Sequence, residues 1–451
     1  MNKNNIKSLT TTILKTIKPT ADERALLSTV ADELIEKVNS TAAGQNIPGV
    51  SAKLVGSAAR GTWISGTHDL DMFITFPEET SREELEEFGL SIAREVAMDA
   101  DRSEERYAEH PYINMRYRDF DVDLVPCFRV SSADRIKSAV DRTPFHNEFI
   151  KQNINGLEDD VLLLKQLMRG GGVYGSELRT QGFSGYLTEL LVIHFGSFDK
   201  VLESACDWKP GLVIDIKEHI SLKHADPLVV VDPTDPKRNV AAALSLDNFS
   251  RFIDISRRFI QDPTEDMFFP PPALELTDHE FIERLNMRKS AIVTVVFKTP
   301  DVVDDVLYPQ LYKMEQATAA LLEDYDFNII KTGSWAGDDV VVLLELMTST
   351  LPDVKKHVGP PVWVRAHAEM FKSKYEGSDD VFSMYIENGK YVVEIPRKYA
   401  GAKELLEARL GMCSLGKQIT ASVSEGFEVL EGEGVLRVKE SGFRVFLRGW
   451  V

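Results

Sequence analysis

Cysteine is scarce in this 451-residue sequence, and the three present, Cys127, Cys206 and Cys413, stand far apart with no Cys-x-x-Cys pair. Neither a disulfide framework nor a zinc knuckle is supported, and three reduced thiols are expected. Long apolar runs are also missing: nothing approaches the roughly 20 residues that span a bilayer, so no membrane partner is expected. Met1 to Pro19 carries lysines but no continuous apolar stretch, which argues against a secretory leader and for a cytoplasmic location. Positive charge is in deficit, with 52 Lys plus Arg against 71 Asp plus Glu and a formal net charge of −19. That balance argues against a protein that coats nucleic acid non-specifically, so a nucleic-acid partner would need a locally basic surface. There is no internal repeat and no low-complexity tract.

What is present is the balance of a soluble globular chain, 43% hydrophobic and 27% charged, long enough for two to four domains. Leu26, Val30, Leu34 and Val38 recur at four-residue spacing, predicting an amphipathic helix over 22–39. Val50 to Val55 and Asp69 to Phe76 read as strands, with a short helix beginning at Ala58 between them. Ser81 and Glu84 form a capping-box pattern ahead of Leu85, Phe88, Ile92 and Val96. Tyr112 to Tyr117 and Phe120 to Phe128 read as strands joined near Arg118-Asp119. Residues 1–150 are therefore expected to form an α/β domain with a mixed sheet. Helical patterning follows in Val161 to Met168, which stops at Gly170-Gly171-Gly172, and in Ser184 to Phe195, predicting a helical central domain over 151–262. Pro263, Pro270, Pro271 and Pro272 punctuate the boundary to a third region, 263–451. Its Ser290 to Phe297, Tyr308 to Tyr325, Phe327 to Lys331 and Val340 to Met347 give a β-α-β-β order, expected to form an α+β domain with an RNA-recognition-like half and a tail.

The clearest chemistry lies in Gly56-Ser57-Ala58-Ala59-Arg60-Gly61-Thr62 and the Asp69-Leu70-Asp71 that opens the next strand. Alternation along a strand puts Asp69 and Asp71 on one face, where the pair can hold a cation. Mg²⁺ prefers hard oxygen ligands and is commonly held by one or two carboxylates plus substrate phosphates. A third acid on a neighbouring strand would complete a two-metal site. Asp123, in Asp121-Val122-Asp123-Leu124-Val125-Pro126, is placed for it, and Asp121 on the same face is the rival. The Gly56-Ser57 turn admits close backbone approach, and the helix N-terminus after it attracts phosphate, so Ser57 and Arg60 can hold triphosphate oxygens. A glycine-serine turn, a strand with two same-face acids and a later strand with another acid together resemble the core of the polymerase-β-like nucleotidyltransferases.

The resemblance narrows over longer blocks. Gly56 to Trp63, Asp69-Leu70-Asp71, Tyr107-Ala108-Glu109-His110-Pro111-Tyr112, Val122-Asp123-Leu124-Val125-Pro126-Cys127 and Ser138 to His146 are similar, in order, to the archaeal class of CCA-adding tRNA nucleotidyltransferases. So are Leu164-Lys165, Val173-Tyr174-Gly175, Gly182 to Tyr186, Val231-Asp232-Pro233 with Lys237 to Ala241, and Pro300 to Asp305. The resemblance implies that Asp69, Asp71 and Asp123 are the catalytic acids and bind two Mg²⁺ ions, although the family often has Glu where this chain has Asp69. It implies that Ser57, Arg60, Thr143, His146, Lys165 and Tyr174 hold the triphosphate of ATP or CTP, that Arg238 helps select the base, and that tRNA is the partner. A homodimer is left open. By themselves His146 reads as a core or capping histidine, Lys165 as a snorkelling lysine, and Tyr174 and Arg238 as packing and surface residues. The Glu-Asp-x-x-Arg template string of the bacterial and eukaryotic class is absent.

Poly(A) and oligoadenylate polymerases and antibiotic nucleotidyltransferases share the same small core, but a small-substrate enzyme rarely needs so long a C-terminal extension. An inactive RNA-binding module is opposed by the retained acids. The basic surface that RNA would need is expected at Asp353 to Tyr375, where Lys355, Lys356, Arg365, Lys372 and Lys374 outnumber Asp353 and Glu369.

Overall fold

Helix capping fixes where the chain first turns. Thr20 accepts from the Glu23 backbone N–H while the Glu23 carboxylate accepts from the Thr20 N–H, a reciprocal pair that starts α2 (Ala21–Gly44) shortly after α1 (Lys3–Ile17). The computed structural model describes residues 3–107, 110–219 and 225–451, so Ala108 and Glu109 of the Tyr107-to-Tyr112 block lie outside the described residues. The buried stripe of α2 is Leu27, Val30, Ala31, Leu34 and Val38. Leu26, expected on that stripe, is 47% exposed, because a 3.6-residue period alternates steps of three and four and carries Leu27 to the first buried position.

The chain divides into two units, Met1–Pro271 and Pro272–Val451. In the first, β1 (Ser51–Val55) leads through the short α3 (Gly56–Arg60) to β2 (Asp69–Pro77), and the expected Ser81/Glu84 capping box opens α4 (Arg82–Val96). Then come β3 (Arg102–Tyr107), β4 (Pro111–Tyr117) and β5 (Phe120–Arg129), with Arg118 and Asp119 at positive φ in the tight turn between the last two. The sheet order is β1-β2-β5-β4-β3, mixed as expected: β2 and β5 run parallel and the other pairs antiparallel. Leu70, Met72, Ile74 and Phe76 of β2, with Phe120, Val122, Leu124 and Phe128 of β5, point into a core shared with Leu34, Leu85 and Ile92 of the helices. The alternate residues, all four aspartates among them, face the other way.

A second core belongs to the helical part: α5 (Thr143–Asn153), α6 (Glu158–Gly170), α7 (Gly185–Phe195) and α8 (Phe198–Ala205), the parallel pair β6 (Leu212–Asp215) and β7 (Leu228–Val231), and α9 (Leu246–Gln261). Ile6, Ile13 and Ile17 of α1 are buried in this core, not in that of the sheet.

The second unit has α10 (Asp278–Arg288), β8 (Ala291–Lys298), α11 (Asp304–Asp324), β9 (Ile329–Ala336) and β10 (Asp339–Leu346). It continues through β11 (Val354–Pro361), α12 (Arg365–Tyr375), β12 (Ser383–Glu387), β13 (Lys390–Pro396), α13 (Ala402–Arg409), α14 (Lys417–Glu425), β14 (Phe427–Glu431) and α15 (Ser441–Trp450). The sheet order β14-β8-β10-β9 is that of a β-α-β-β-α-β unit, as the RNA-recognition-like reading expected. Both of its faces are covered, one by α11, α13 and α14 and the other by α10 and α15, so it offers no bare platform for stacking bases. The basic segment 353–375 is β11 of a separate three-stranded sheet followed by α12, and three of its four lysines are paired with carboxylates: Lys355 with Asp326 at 3.0 Å, Lys356 with Glu387 and Lys372 with Glu376 at 3.2 Å, while Lys374 lies over the Tyr375 ring. All three cysteines are free, and among the described residues no helix is long and apolar enough to cross a membrane.

Candidate active site

Parallel pairing of β2 with β5 sets Asp69 opposite Asp121 and Asp71 opposite Asp123. Four carboxylates thus share the sheet face turned away from α2 and α4. Asn114 of β4, directly across from Asp123, donates to Asp123 Oδ1 at 2.9 Å and to Asp121 Oδ1 at 2.5 Å. Burial and the charges of Asp123 and Asp69 push the Asp71 carboxyl up to about 6, against the pull of Arg60. Burial also raises Asp123, opposed by the Asn114 hydrogen bond. Of the two candidates on β5, Asp123 lies directly across from Asp71 and Asp121 across from Asp69.

Gly56 follows β1 at φ 73°, and a Cβ there would lie 1.9 Å from Asp71 Oδ2, so the turn against the acids admits only glycine. Hard oxygen donors held together against their own repulsion beside a side-chain-free turn suit Mg²⁺, because a cation relieves the charge that raises Asp71. Among the described residues no three His, Cys, Asp or Glu side chains are arranged to hold a metal ion by themselves.

A buried cationic cluster adjoins the acids. Arg60 Nε donates to Glu189 Oε1 of α7 at 3.0 Å, and Arg60 Nη1 reaches Asn147 Oδ1 at 3.4 Å. Lys165 of α6 donates to the Thr62 carbonyl at 2.8 Å and stands 3.9 Å from Glu189 Oε1, which also accepts from the Thr62 hydroxyl at 2.5 Å. Lys165 does not snorkel. It is buried, and burial pulls its ammonium down to about 8 despite the nearby Glu189. Tyr174, under the Arg169 guanidinium at 5.1 Å, is raised to about 12 by burial.

The third group centres on Asp232, fully buried at the end of β7. It accepts from His146 Nε2 at 2.8 Å, Arg238 Nη1 at 3.0 Å and the Thr234 N–H and hydroxyl at 2.9 and 2.8 Å. Burial alone would raise this carboxyl, and these bonds outweigh it and hold it far below the usual range. His146 is therefore neither a core filler nor a cap: it lies flat on Tyr186, ring centroids 4.1 Å apart. Ser57 on α3 and Thr143 at the head of α5 are half-buried, and among the described residues neither hydroxyl has a hydrogen-bond partner. The structure thus places eight of the ten expected residues in three groups and leaves these two hydroxyls free. Sequence reasoning assigned no role to Glu189, Asp232, Asn114 or Asn147. One signal for Glu189 was available, an acid in the midst of the apolar run Leu187 to Ile193.

A mixed sheet carrying paired aspartates opposite a glycine-serine turn, with cations beside it, is the site of a nucleotidyltransferase, and residues 34–146 match the family model of the nucleotidyltransferase domain. Residues 159–269 match the second domain of tRNA nucleotidyltransferase and 288–432 the C-terminal domain of CCA-adding enzyme. The CCA-adding enzyme of Methanosarcina acetivorans is 63% identical over 440 residues, 97% of each chain. Those of Methanoregula boonei, covering 95% of this chain and 92% of its own, and Halobacterium salinarum, 96% of each, are 41% identical. The chain belongs to the CCA-adding enzyme family. A solved structure of Cid1 with a UTP analogue is similar over 60% of this chain and all of its own, at 13% identity and a TM-score of 0.48.

Proposed function

We propose that this chain completes the 3′ end of tRNA, adding or repairing the terminal C, C and A from CTP and ATP without a nucleic-acid template. The observation that carries the reading is the register that gathers Asp69, Asp71 and Asp123 opposite the Gly56 turn with Arg60 beside them. The family's domains, matched in order along the chain, support tRNA as the acceptor.

The RNA 3′-hydroxyl attacks the α-phosphate in line and pyrophosphate leaves. Asp69, Asp71 and Asp123 would hold two Mg²⁺ ions, which on binding lower the pKa of the attacking hydroxyl and neutralise the leaving group. Arg60 and Lys165 set positive charge against the triphosphate, and Ser57, Thr143, His146 and Tyr174 donate hydrogen bonds to it. Arg238, half-exposed and tethered to Asp232, meets the base. This work belongs in the cytoplasm, where tRNA is used.

The test offers radiolabelled CTP or ATP with Mg²⁺ to tRNA lacking its last three residues, to tRNA with a complete end, and to an aminoglycoside. Incorporation into the shortened tRNA alone is expected. Transfer to the aminoglycoside, or equal tailing of both RNAs, would overturn the reading.

A further inference from the structure

We propose that Glu189 is the positioning residue of the triphosphate grip: it holds the Arg60 guanidinium and the Lys165 ammonium in place and aimed at the nucleotide without touching substrate itself. The inference rests on the reading that Arg60 and Lys165 hold the triphosphate.

Glu189 is the one acid of a mainly apolar helix and is wholly inaccessible to solvent. Burying a carboxylate is costly unless cations compensate it. Its Oε1 serves three elements at once: Arg60 at the end of α3, Thr62 in the following loop and Lys165 of α6. Its Oε2 is equally buried and, among the described residues, has no hydrogen-bond partner. A glutamine would present an amide to donate as well as an oxygen to accept. The position instead keeps an orphan acceptor, so beyond the bonds to Oε1 what it supplies is charge.

That charge is needed because of what surrounds it. Arg60 and Lys165 approach the same oxygen, and without it they would repel each other in a site that excludes water. Lys165 is faced by Glu189 from α7, by Arg60 from α3 and by Arg169 from its own helix. Glu189 alone of these favours the ammonium, while burial and both arginines oppose it. With Arg60 Nε turned to Glu189 and Nη1 to Asn147, Nη2 has no partner among the described residues and is left for phosphate. Thr62 completes the arrangement, accepting from Lys165 through its carbonyl and donating to Glu189 through its hydroxyl.

The test uses the full chain with CTP, ATP, Mg²⁺ and tRNA lacking its last three residues, with Glu189→Gln compared with wild type across pH. Lys165 is charged below about 8 and neutral above it, so wild-type kcat/KM falls as pH rises through that range. Glu189→Gln withdraws the group that sustains the charge, so the fall should begin at least about one pH unit lower. KM for CTP and ATP should rise together by about tenfold or more, with kcat changing less than about threefold. A merely structural role would lower the active fraction, reducing kcat while leaving KM and the pH profile in place, and that result overturns the proposal. If Glu189→Gln yields too little folded protein, Glu189→Asp carries the test, because it keeps the charge on a shorter arm. Its pH profile should match wild type while both KM values rise by roughly three- to tenfold, and unchanged KM values overturn the proposal. Wild type that incorporates neither nucleotide refutes the function, whereas active wild type with unmoved variants refutes only the role of Glu189.

Discussion

A Cβ at position 56 would lie 1.9 Å from Asp71 Oδ2 and 2.9 Å from its Cγ, so the glycine of the turn and the acid of the strand share one space. Gly56→Ala must rotate Asp71 away and strain a backbone at φ 73°. The strain should cost about 1–2 kcal/mol of stability, and displacing the acid about 100-fold or more in nucleotide incorporation. Melting temperature and turnover measured together check this. A fully active Gly56→Ala protein would show that the carboxylate need not sit where it does.

Asp71 also predicts a trade between stability and activity. Its carboxyl is raised to about 6 by burial and by Asp123 and Asp69, so the folded state favours its neutral form. The stability it contributes is whole below its unfolded value near 4 and is lost as pH rises through about 6. Asp71→Asn escapes that loss. In EDTA at about pH 7.5 it should be more stable than wild type by about 1–3 kcal/mol, the gap closing near pH 4, while incorporation is abolished. Denaturant unfolding at the two pH values reads the difference, and a destabilised variant at neutral pH would contradict the crowding of the acids.

Arg60 and Lys165 act on phosphates, which carry no base identity, so Arg60→Ala and Lys165→Ala should lose CTP and ATP incorporation in parallel. Each leaves Glu189 buried beside a missing cation, and a stability loss of about 3–5 kcal/mol should accompany the defect. Arg238→Ala should instead change the ratio of CTP to ATP use more than total binding. Initial rates of CTP on tRNA lacking its last three residues and of ATP on tRNA lacking only the last one separate the two behaviours.

Much of this site could be read in the sequence because its signals are local. The Asp69/Asp71 alternation, the Gly56 turn and the Ser81/Glu84 cap are each fixed by neighbours along the chain. The misses have tertiary causes. β3 is built from Arg102-Ser103-Glu104-Glu105-Arg106-Tyr107, a charged edge strand without an apolar pattern, and only pairing with β4 makes it a strand. Polar α1 shows its role only through Ile6, Ile13 and Ile17, which reach a core made by residues far along the chain. Glu189 and Asp232 act on partners 129 and 86 residues distant, a separation no spacing argument spans.

The lysines of 353–375, the segment expected to face RNA, are mostly engaged already within the protein. Lys355, Lys356 and Lys372 each have a carboxylate partner, and the C-terminal cations Arg437, Lys439, Arg444 and Arg448 are likewise paired, with Glu428, Asp278, Asp278 and Glu280. Each lysine must leave its acid before meeting a phosphate and so contributes less than a free contact. Replacing Lys355, Lys356, Lys372 and Lys374 with Gln should weaken tRNA binding and flatten its logarithmic salt slope by about one to two, not by about four. CTP affinity should be unchanged. Filter binding over a salt series measures both, and an unaltered slope would move the RNA face elsewhere.

The central claim is tested most directly by the sequence of the product end. The protein is incubated with tRNA ending at the base before the missing triplet, Mg²⁺, CTP and ATP, with Asp71→Asn as the inactive control, and the extended 3′ ends are sequenced. The account predicts C, then C, then A, and then a stop, with no extension by the variant. A homopolymer tail, a different terminal order or addition that runs on past the adenosine would contradict it.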